Sequence, residues 1–325
     1  MVILVTGSII QSIRDFFAQM FVNNSSQAEE ISTLFKDFLI IATVILLIVA
    51  FLVVGGIIIY HDRKKGGEPK QIFGNRGLEL LWTFVPLGVV TVLFLLSLKT
   101  MKEINEPIVS GQKPDIVIIA HQWWWDFRYP QEDVITANEL HVPAGEQLLM
   151  RIESADVIHS WWVPSLGRKI DAVPGRLNYG WLEADSTGVF LGTCSEYCGM
   201  QHATMGIRVI SESRADYEQW LEAQRRQPKP PSDSLARAGA QIFQQKTCGN
   251  CHAISGTAAD AHIAPDLTHV ASRTTLLSGM EKNTPEHLHA WLDNPQKVKM
   301  GARMPDFLLT EDELNALTAY LSQLY

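Results

Sequence analysis

Cysteine is scarce in this sequence of 325 residues: four in all, Cys194, Cys198, Cys248 and Cys251, set in two close pairs. So few thiols exclude a small scaffold stapled by disulfides, and spacing this tight points to metal or cofactor chemistry. Basic charge is also short, with 27 Lys and Arg against 35 Asp and Glu and a net charge of −8. That balance argues against a nucleic-acid partner, because phosphate binding needs a basic face. It suits a basic partner instead. Histidine is missing from both long apolar runs of the first hundred residues, so no membrane-embedded imidazole cluster is available to hold a metal there. What remains is uneven: two apolar stretches near the start, then a mixed sequence with room for more than one compact domain.

Phe38 to Tyr60 is apolar and uncharged, and Leu80 to Leu98 is a second such run broken only by Pro86. About 20 apolar residues cross the hydrocarbon layer as a helix, and membrane helices tolerate proline. Neither run reads as a cleaved signal, since the first begins far from Met1 and exceeds a signal core in length. Two buried core helices are the weaker alternative at these lengths. Between the runs lie Arg63, Lys64, Lys65, Lys70 and Arg76. The positive-inside rule places that loop in the cytoplasm, and both termini with everything after Leu98 on the outer face. Lys36, Lys99 and Lys102 weaken the asymmetry without reversing it. Ile9, Ile13, Phe16, Phe17 and Met20 stand near helical spacing, consistent with an interfacial amphipathic helix; no function attaches to it.

From Asp115 to about Ile210 short β-rich stretches alternate with turns, as in a sandwich or barrel. They are Asp115 to Ala120, Glu139 to Val142 before Pro143-Ala144-Gly145, Gln147 to Ile152, Gly188 to Gly192, and Gly206 to Ile210. Between the last two stand Cys194, Cys198, His202 and Met205. Thiolate, imidazole and thioether together are the donors that select copper, and a single blue-copper centre needs only one cysteine. Two thiolates extend that pattern to a pair of copper ions bridged by sulfur, with His159 the candidate second histidine. A structural zinc site of Cys194, Cys198, His202 and His159 is the competing reading, and Met205 counts against it.

Tyr217 to Gln224 reads as a short closing helix, and the proline-rich Arg225 to Asp233 as a stiffened linker. Extended, that linker reaches about 25–30 Å at about 3.1 Å per residue. A tether of this length gives a millimolar effective concentration, so docking across it need not be tight. Beyond it the pattern turns helical. Asp233 or Ser234 caps a helix through Ala236, Gly239, Ile242 and Phe243. Thr284 opens another that stops at Asn294-Pro295. Thr310 and Glu313 form a capping box ahead of Leu314, Leu317, Tyr320, Leu321 and Leu324. Cys248-Gly-Asn-Cys251-His252 has the spacing for two thioethers to haem vinyl groups beside a histidine iron ligand. A thioredoxin-type pair needs a βαβ context that this segment lacks. With two cysteines on copper and two on haem, none is left for a disulfide. His262, His269, His287 and His289 read as surface residues without a role.

Several motifs together resemble cytochrome c oxidase subunit II over residues 30–225. They are His159-Ser160-Trp161, Val163 to Gly167, Asp171 to Asn178, Cys194 to Cys198 and the aromatic run Gln122 to Phe127, preceded by the two-helix hairpin. Residues 234–325 resemble class I cytochromes c, through the early C-x-x-C-H and a late Met304-Pro305. The fold implied is multi-domain. An N-terminal segment with amphipathic spacing (1–36) leads into a transmembrane helical hairpin (37–100). An all-β cupredoxin barrel holding the binuclear CuA centre follows (101–224), then the linker (225–233) and an all-α cytochrome c domain (234–325).

The resemblance carries the copper ligands onto His159, Cys194, the carbonyl of Glu196, Cys198, His202 and Met205. It gives the Glu196 carboxylate to a magnesium ion shared with the catalytic subunit. Trp123 matches the aromatic residue through which an external cytochrome passes its electron, and Glu79 the carboxylate at the mouth of a proton path. Haem attachment falls on Cys248, Cys251 and His252, with Met304 as distal ligand ahead of Met300 and Met280. The carbonyl of Pro265 orients the proximal imidazole, although Ala264 departs from the family's Gly-Pro pattern.

The function implied is electron relay from a soluble cytochrome or neighbouring respiratory complex, through haem c and CuA, to a catalytic subunit I that reduces oxygen, coupled to proton pumping. The partners implied are subunits I and III and other membrane subunits, in a bacterial inner membrane with the metal domains on the periplasmic face. A quinol oxidase subunit II lacks the copper ligands, all filled here. A membrane-anchored copper chaperone has no use for a fused haem, and a nitrous-oxide-type reductase needs a further histidine-rich domain.

Overall fold

The computed structural model describes residues 22–61, 71, 73–105 and 111–325. The amphipathic stretch through Met20 and the loop cations Arg63, Lys64, Lys65 and Lys70 lie outside the described residues. The chain divides into two units, and the first holds helix α1 (Ser26–Tyr60) from Glu29 onward and helix α2 (Arg76–Ile104). At 35 and 29 residues, both are long and apolar enough to cross a membrane. Each outlasts the apolar run that announced it. The hydroxyl of Ser25 accepts from the Ala28 N–H at 3.1 Å, and Asn75 Oδ1 accepts from the N–H groups of Gly77 and Leu78. These caps, rather than hydropathy, set where the helices start. The first turn of α1 therefore falls inside the stretch expected as a separate N-terminal segment.

Val22–Ala28 belongs to the second unit. Asn24 N–H donates to Ser165 O at 2.9 Å, Asp185 N–H to Asn24 O at 2.8 Å, and the Ser25 hydroxyl to Leu166 O at 3.0 Å. This short stretch thus fills backbone hydrogen-bonding positions on the sandwich it precedes.

The rest of the second unit begins with a β-sandwich. One sheet has the order β3-β2-β1-β5-β8, from Val134–Ala137, Trp124–Tyr129, Ile116–His121, Leu148–Ser154 and Asn178–Leu182. The other is β4-β10-β9, from Glu139–Pro143, Gly206–Glu212 and Gly188–Thr193, and a small hairpin pairs β6 (His159–Trp161) with β7 (Ile170–Ala172). The parallel pairs β1–β5 and β4–β10 require crossings between sheets rather than plain hairpins. Strand β2, legible only as an aromatic run, is buried along nearly its whole length because Trp125, Phe127 and Tyr129 pack inward while neighbours cover the other face. Trp125 and Phe127 both meet Trp161 edge-on, at 5.5 and 5.8 Å between ring centres, the favoured aromatic geometry. Helix α3 (Arg214–Gln224) closes this core with Tyr217 and Leu221.

Four more helices follow: α4 (Ser234–Gln245), α5 (Pro285–Asp293), the single turn α6 (Pro295–Val298) and α7 (Glu311–Leu321). Asp233, Thr284 and the Thr310–Glu313 capping box start three of them as expected. Asn294 ends α5 but also caps α6, whose first residue is Pro295, so the chain turns there rather than leaving the helical layer. A methyl on Gly239 of α4 would lie 2.0 Å from Ala316 O of α7, so only glycine permits this helix contact. Leu288, Leu292, Leu317, Leu321 and Phe243 form the surrounding core.

Residues 225–233 do not hang free. Arg225 donates to the carbonyl and carboxylate of Glu132, and Gln323 binds both Ser232 and Asp233. His269, expected on the surface, is 4% exposed, and its Nε2 donates to Gln224 O at 2.9 Å. That carbonyl belongs to the end of α3, a long-range partner with no local signature.

Candidate functional site

The loop from Thr193 to Gly206 is closed at its base. Cys194 N–H donates to Met205 O at 3.0 Å, while Ser195 N–H and Thr193 N–H donate to Ser160 O and Trp162 O beside His159. These bonds bring the ends of two strands and the β6 edge to one place, and the donor atoms follow. Cys194 Sγ lies 3.7 Å from Cys198 Sγ, 3.9 Å from His159 Nδ1 and 3.3 Å from Glu196 O. Cys198 Sγ lies 3.7 Å from His202 Nδ1 and 3.9 Å from Met205 Sδ. His159 and Met205 are wholly buried and the two cysteines nearly so.

Donor chemistry decides what fits. Two thiols, two imidazole nitrogens, a thioether and a carbonyl oxygen converge, and a structural zinc ion uses four ligands. Soft sulfur beside imidazole suits copper, so the residues present fit that metal. A hydrogen bond from the Cys198 thiol holds Cys194 down to about 3, against the cost of burial. The same contact pushes Cys198 up. One proton leaves this pair readily and the second is retained until a cation replaces it. Burial alone would push His159 down, but the Asp156 carboxylate, 2.8 Å from its Nε2, raises it. Asp156 thereby fixes the ring with Nδ1 facing the thiols, as a carboxylate behind a metal-ligating histidine does.

A second site lies in the helical part. A cavity of about 510 Å³ is lined by Cys248, Cys251, His252, Pro265, Met304 and Leu317. His252 Nδ1 is 2.7 Å from Pro265 O, which can only accept, so the proton sits on Nδ1 and Nε2 is left as a ligand. Burial pushes His252 below the usual histidine range and keeps it neutral. Pro265 therefore plays the orienting part despite the departure at Ala264, whose N–H donates to Cys251 O at 2.9 Å. The paired thiols, a neutral imidazole and an apolar cavity of this size fit a covalent haem. Met304 is half-buried on the cavity wall, whereas Met300 is 75% exposed and Met280 38% exposed, and neither lines it.

Trp123 is half-buried, lines the same cavity from the sandwich side, and donates from Nε1 to Cys198 O at 3.0 Å. It thus touches the thiol loop and faces the haem-sized cavity. The Glu196 side chain is exposed. Glu79 lies in the first turn of α2, in the other unit. Sequence reasoning missed Asp156, Glu139 and Lys299. Asp156 had a signal, three residues before His159, but Glu139 and Lys299 act only through tertiary contacts.

Three family models match: "Cytochrome C oxidase subunit II, transmembrane domain" over residues 14–100, "Cytochrome C oxidase subunit II, periplasmic domain" over 132–212, and "Cytochrome c" over 236–325. The chain is 37% identical over 270 residues to a cytochrome c oxidase subunit 2 of Alkalihalophilus pseudofirmus, covering 81% of this chain and 78% of that one. It is 35% identical over 283 residues to the Bacillus sp. (strain PS3) protein of the same name, covering 81% and 79%. A crystal structure of the periplasmic domain of subunit II of cytochrome oxidase from Bradyrhizobium japonicum matches at 34% identity and a TM-score of 0.34, covering 35% of this chain and 96% of that one.

Removing the carboxylate behind His159 tests the thiol cluster directly. Asp156→Asn is expected to weaken copper retention by about 10–100-fold, the usual cost of losing such an orienting group. Competition with a calibrated chelator measures it, and unchanged retention would remove Asp156 from the site.

Proposed function

The chain belongs to the cytochrome c oxidase subunit II family, and from that premise we propose that it is the electron-transfer subunit of a haem–copper oxidase. In this reading it takes electrons from a donor at covalent haem c, passes them to binuclear CuA, and delivers them to the catalytic subunit that reduces oxygen and pumps protons. One observation carries it: Trp123 bridges the two-thiol cluster and the cavity behind Cys248-x-x-Cys251-His252 within a single unit. Copper and haem, when bound, supply one-electron chemistry; the residues supply position, exclusion of water and fixed protonation.

His159, Cys194, Glu196 through its carbonyl, Cys198, His202 and Met205 are the proposed copper ligands. Six donors give two ions four ligands each only if both sulfurs are shared, and the 3.7 Å spacing of the sulfurs supports that sharing. Cys248 and Cys251 are the proposed haem attachment points, with His252 and Met304 as axial ligands. The exposed Glu196 carboxylate is free to meet a magnesium ion at the junction with the catalytic subunit. Five parts (1–36, 37–100, 101–224, 225–233 and 234–325) anchor the two metal domains on the outer face of a bacterial inner membrane, beside subunits I and III. A soluble cytochrome or an adjoining respiratory complex is the proposed donor.

Metal analysis of the purified complex is expected to give two copper ions for this chain, an iron that acidified organic solvent does not extract, and magnesium. Stoichiometric zinc, or a chain left without haem after the extraction, would defeat the assignment. Met304→Ala is expected to lower the haem potential, because a thioether ligand raises it, while Met300→Ala leaves it unchanged. Redox titration of both variants decides, and exchanged effects would transfer the ligand to Met300. Glu79, a carboxylate at the entrance of a membrane helix, is expensive there without a use. Glu79→Gln should slow oxygen turnover several-fold with both metal spectra intact, and Trp123→Leu should slow haem-to-copper transfer after flash reduction. Wild-type rates in either variant would strip that residue of its role.

A further inference from the structure

Two charged side chains are buried where the helical part meets the sandwich: Glu139 takes its hydrogen bonds from the opposite side, and Lys299 takes two of its three from there. Glu139, the first residue of β4, is 1% exposed. Its carboxylate accepts from the N–H and hydroxyl of Thr274 at 2.9 and 2.6 Å, and from the N–H and hydroxyl of Thr275 at 2.8 and 2.6 Å. Arg208 Nε, on the neighbouring strand β10, is 3.7 Å away. Lys299, from the turn after α6, is 5% exposed. Its ammonium donates to Thr204 O at 3.2 Å, Leu277 O at 3.3 Å and Trp123 O at 3.5 Å. Among the described residues no carboxylate lies within ion-pair distance of it.

Backbone geometry at the same seam is specialised. A short hairpin, β11 (Thr275–Leu276) with β12 (Glu281–Lys282), turns through Leu277 and Ser278 at φ of 57° and 61°. Non-glycine residues seldom adopt that region, because Cβ crowds the following carbonyl there. The tip so formed is spent on contact. Ser278 Oγ donates to Trp123 O at 2.9 Å, and a methyl on Gly206 would lie 2.5 Å from Ser278 O. On the other flank a methyl on Gly301 would lie 2.4 Å from Met200 Sδ, and Gln201 Nε2 donates to Lys299 O and Met300 O at 3.2 and 3.1 Å. Gly206 stands where two backbones touch without room for a side chain, and Gly301, at φ of 84°, packs beside the Met200 side chain.

We propose that the cytochrome domain is latched to the copper domain in one fixed register, by the Glu139 carboxylate clasped between Thr274 and Thr275 and the Lys299 ammonium seated on the carbonyls of Trp123 and Thr204. A sliding displacement would strip each buried charge of its hydrogen-bond partners before water could replace them. Buried charges of this kind fix register, and removing one partner weakens association because the other is left buried and unpaired. The latch goes beyond the electron-relay reading and does not depend on which metals are bound.

A site-specific protease sequence replacing residues 228–231 of the full chain tests it. After folding and cleavage, gel filtration in detergent at micromolar concentration is expected to keep the haem-bearing fragment with the membrane-bound one. Lys299→Met, and separately Thr274→Val with Thr275→Val, are expected to raise the fragments' dissociation constant by about thirty-fold or more. An unchanged haem absorption spectrum certifies that each variant folds. Release of an intact haem fragment from the cleaved wild type would overturn the latch. Variants that stay associated as tightly as wild type would overturn its assignment to these residues. Metal content is read separately, so failure here is distinct from failure of the copper and haem assignment.

Discussion

Two thiols 3.7 Å apart in an apolar core hold only if the backbone that carries them is fixed by something else. The bond from Cys194 N–H to Met205 O does this, joining the first and last donor residues of the loop at its neck. Everything at the cluster follows from that closure. Cys198 and His202 project from the loop it encloses, and Ser195 N–H, donating to Ser160 O, draws in the edge that bears His159. The edge-on packing of Trp125 and Trp161 then backs His159 from the core, with Trp125 6.2 Å from its ring. Aromatic bulk and backbone pairing thus do before metal binding what the metal would otherwise have to do, and pre-organisation lowers the cost of binding.

The same loop forms part of the surface on which the helical domain rests. Met200, Gln201 and Thr204 belong to it, and all three meet residues between 277 and 301. Movement of the cytochrome domain is therefore coupled to the copper loop by direct contact. The Trp123 carbonyl is held by Ser278 and Lys299, and Arg303 lies over its ring at 6.0 Å. The chain sets its own second domain against this aromatic, and the proline-stiffened linker is further held by Arg225 on Glu132 and by Gln323 on Ser232 and Asp233.

Legibility in the sequence tracks the range of the interactions. Local motifs read well: the capping box at Thr310 and Glu313, the cap at Thr284, the membrane runs, and the spacings of the cysteine pairs all act within a few residues. Strand β2 read only as aromatic because burial on both faces erases the alternation that marks a strand. Helix starts at Ser26 and Arg76 were missed because polar caps, not apolar content, set them. His269, Glu139 and Lys299 were invisible for a different reason. Their partners stand 45, 135 and 95 residues away, and no spacing rule spans such distances.

Lys299 shows why carbonyl groups rather than a carboxylate serve at this seam. Burial pushes its ammonium down to about 8, while the neighbouring Cys198 sulfur pulls the other way. A carboxylate partner would hold the lysine more firmly, but it would also place a second anion beside a pair of thiols that must both lose their protons to bind metal. Like charge at that distance disfavours the thiolate. Three carbonyl dipoles satisfy the ammonium without cancelling its charge, so its field stays available to the sulfurs. One side chain thereby ties the turn after α6 to the carbonyls of Trp123 and Thr204 while its own charge stays unpaired.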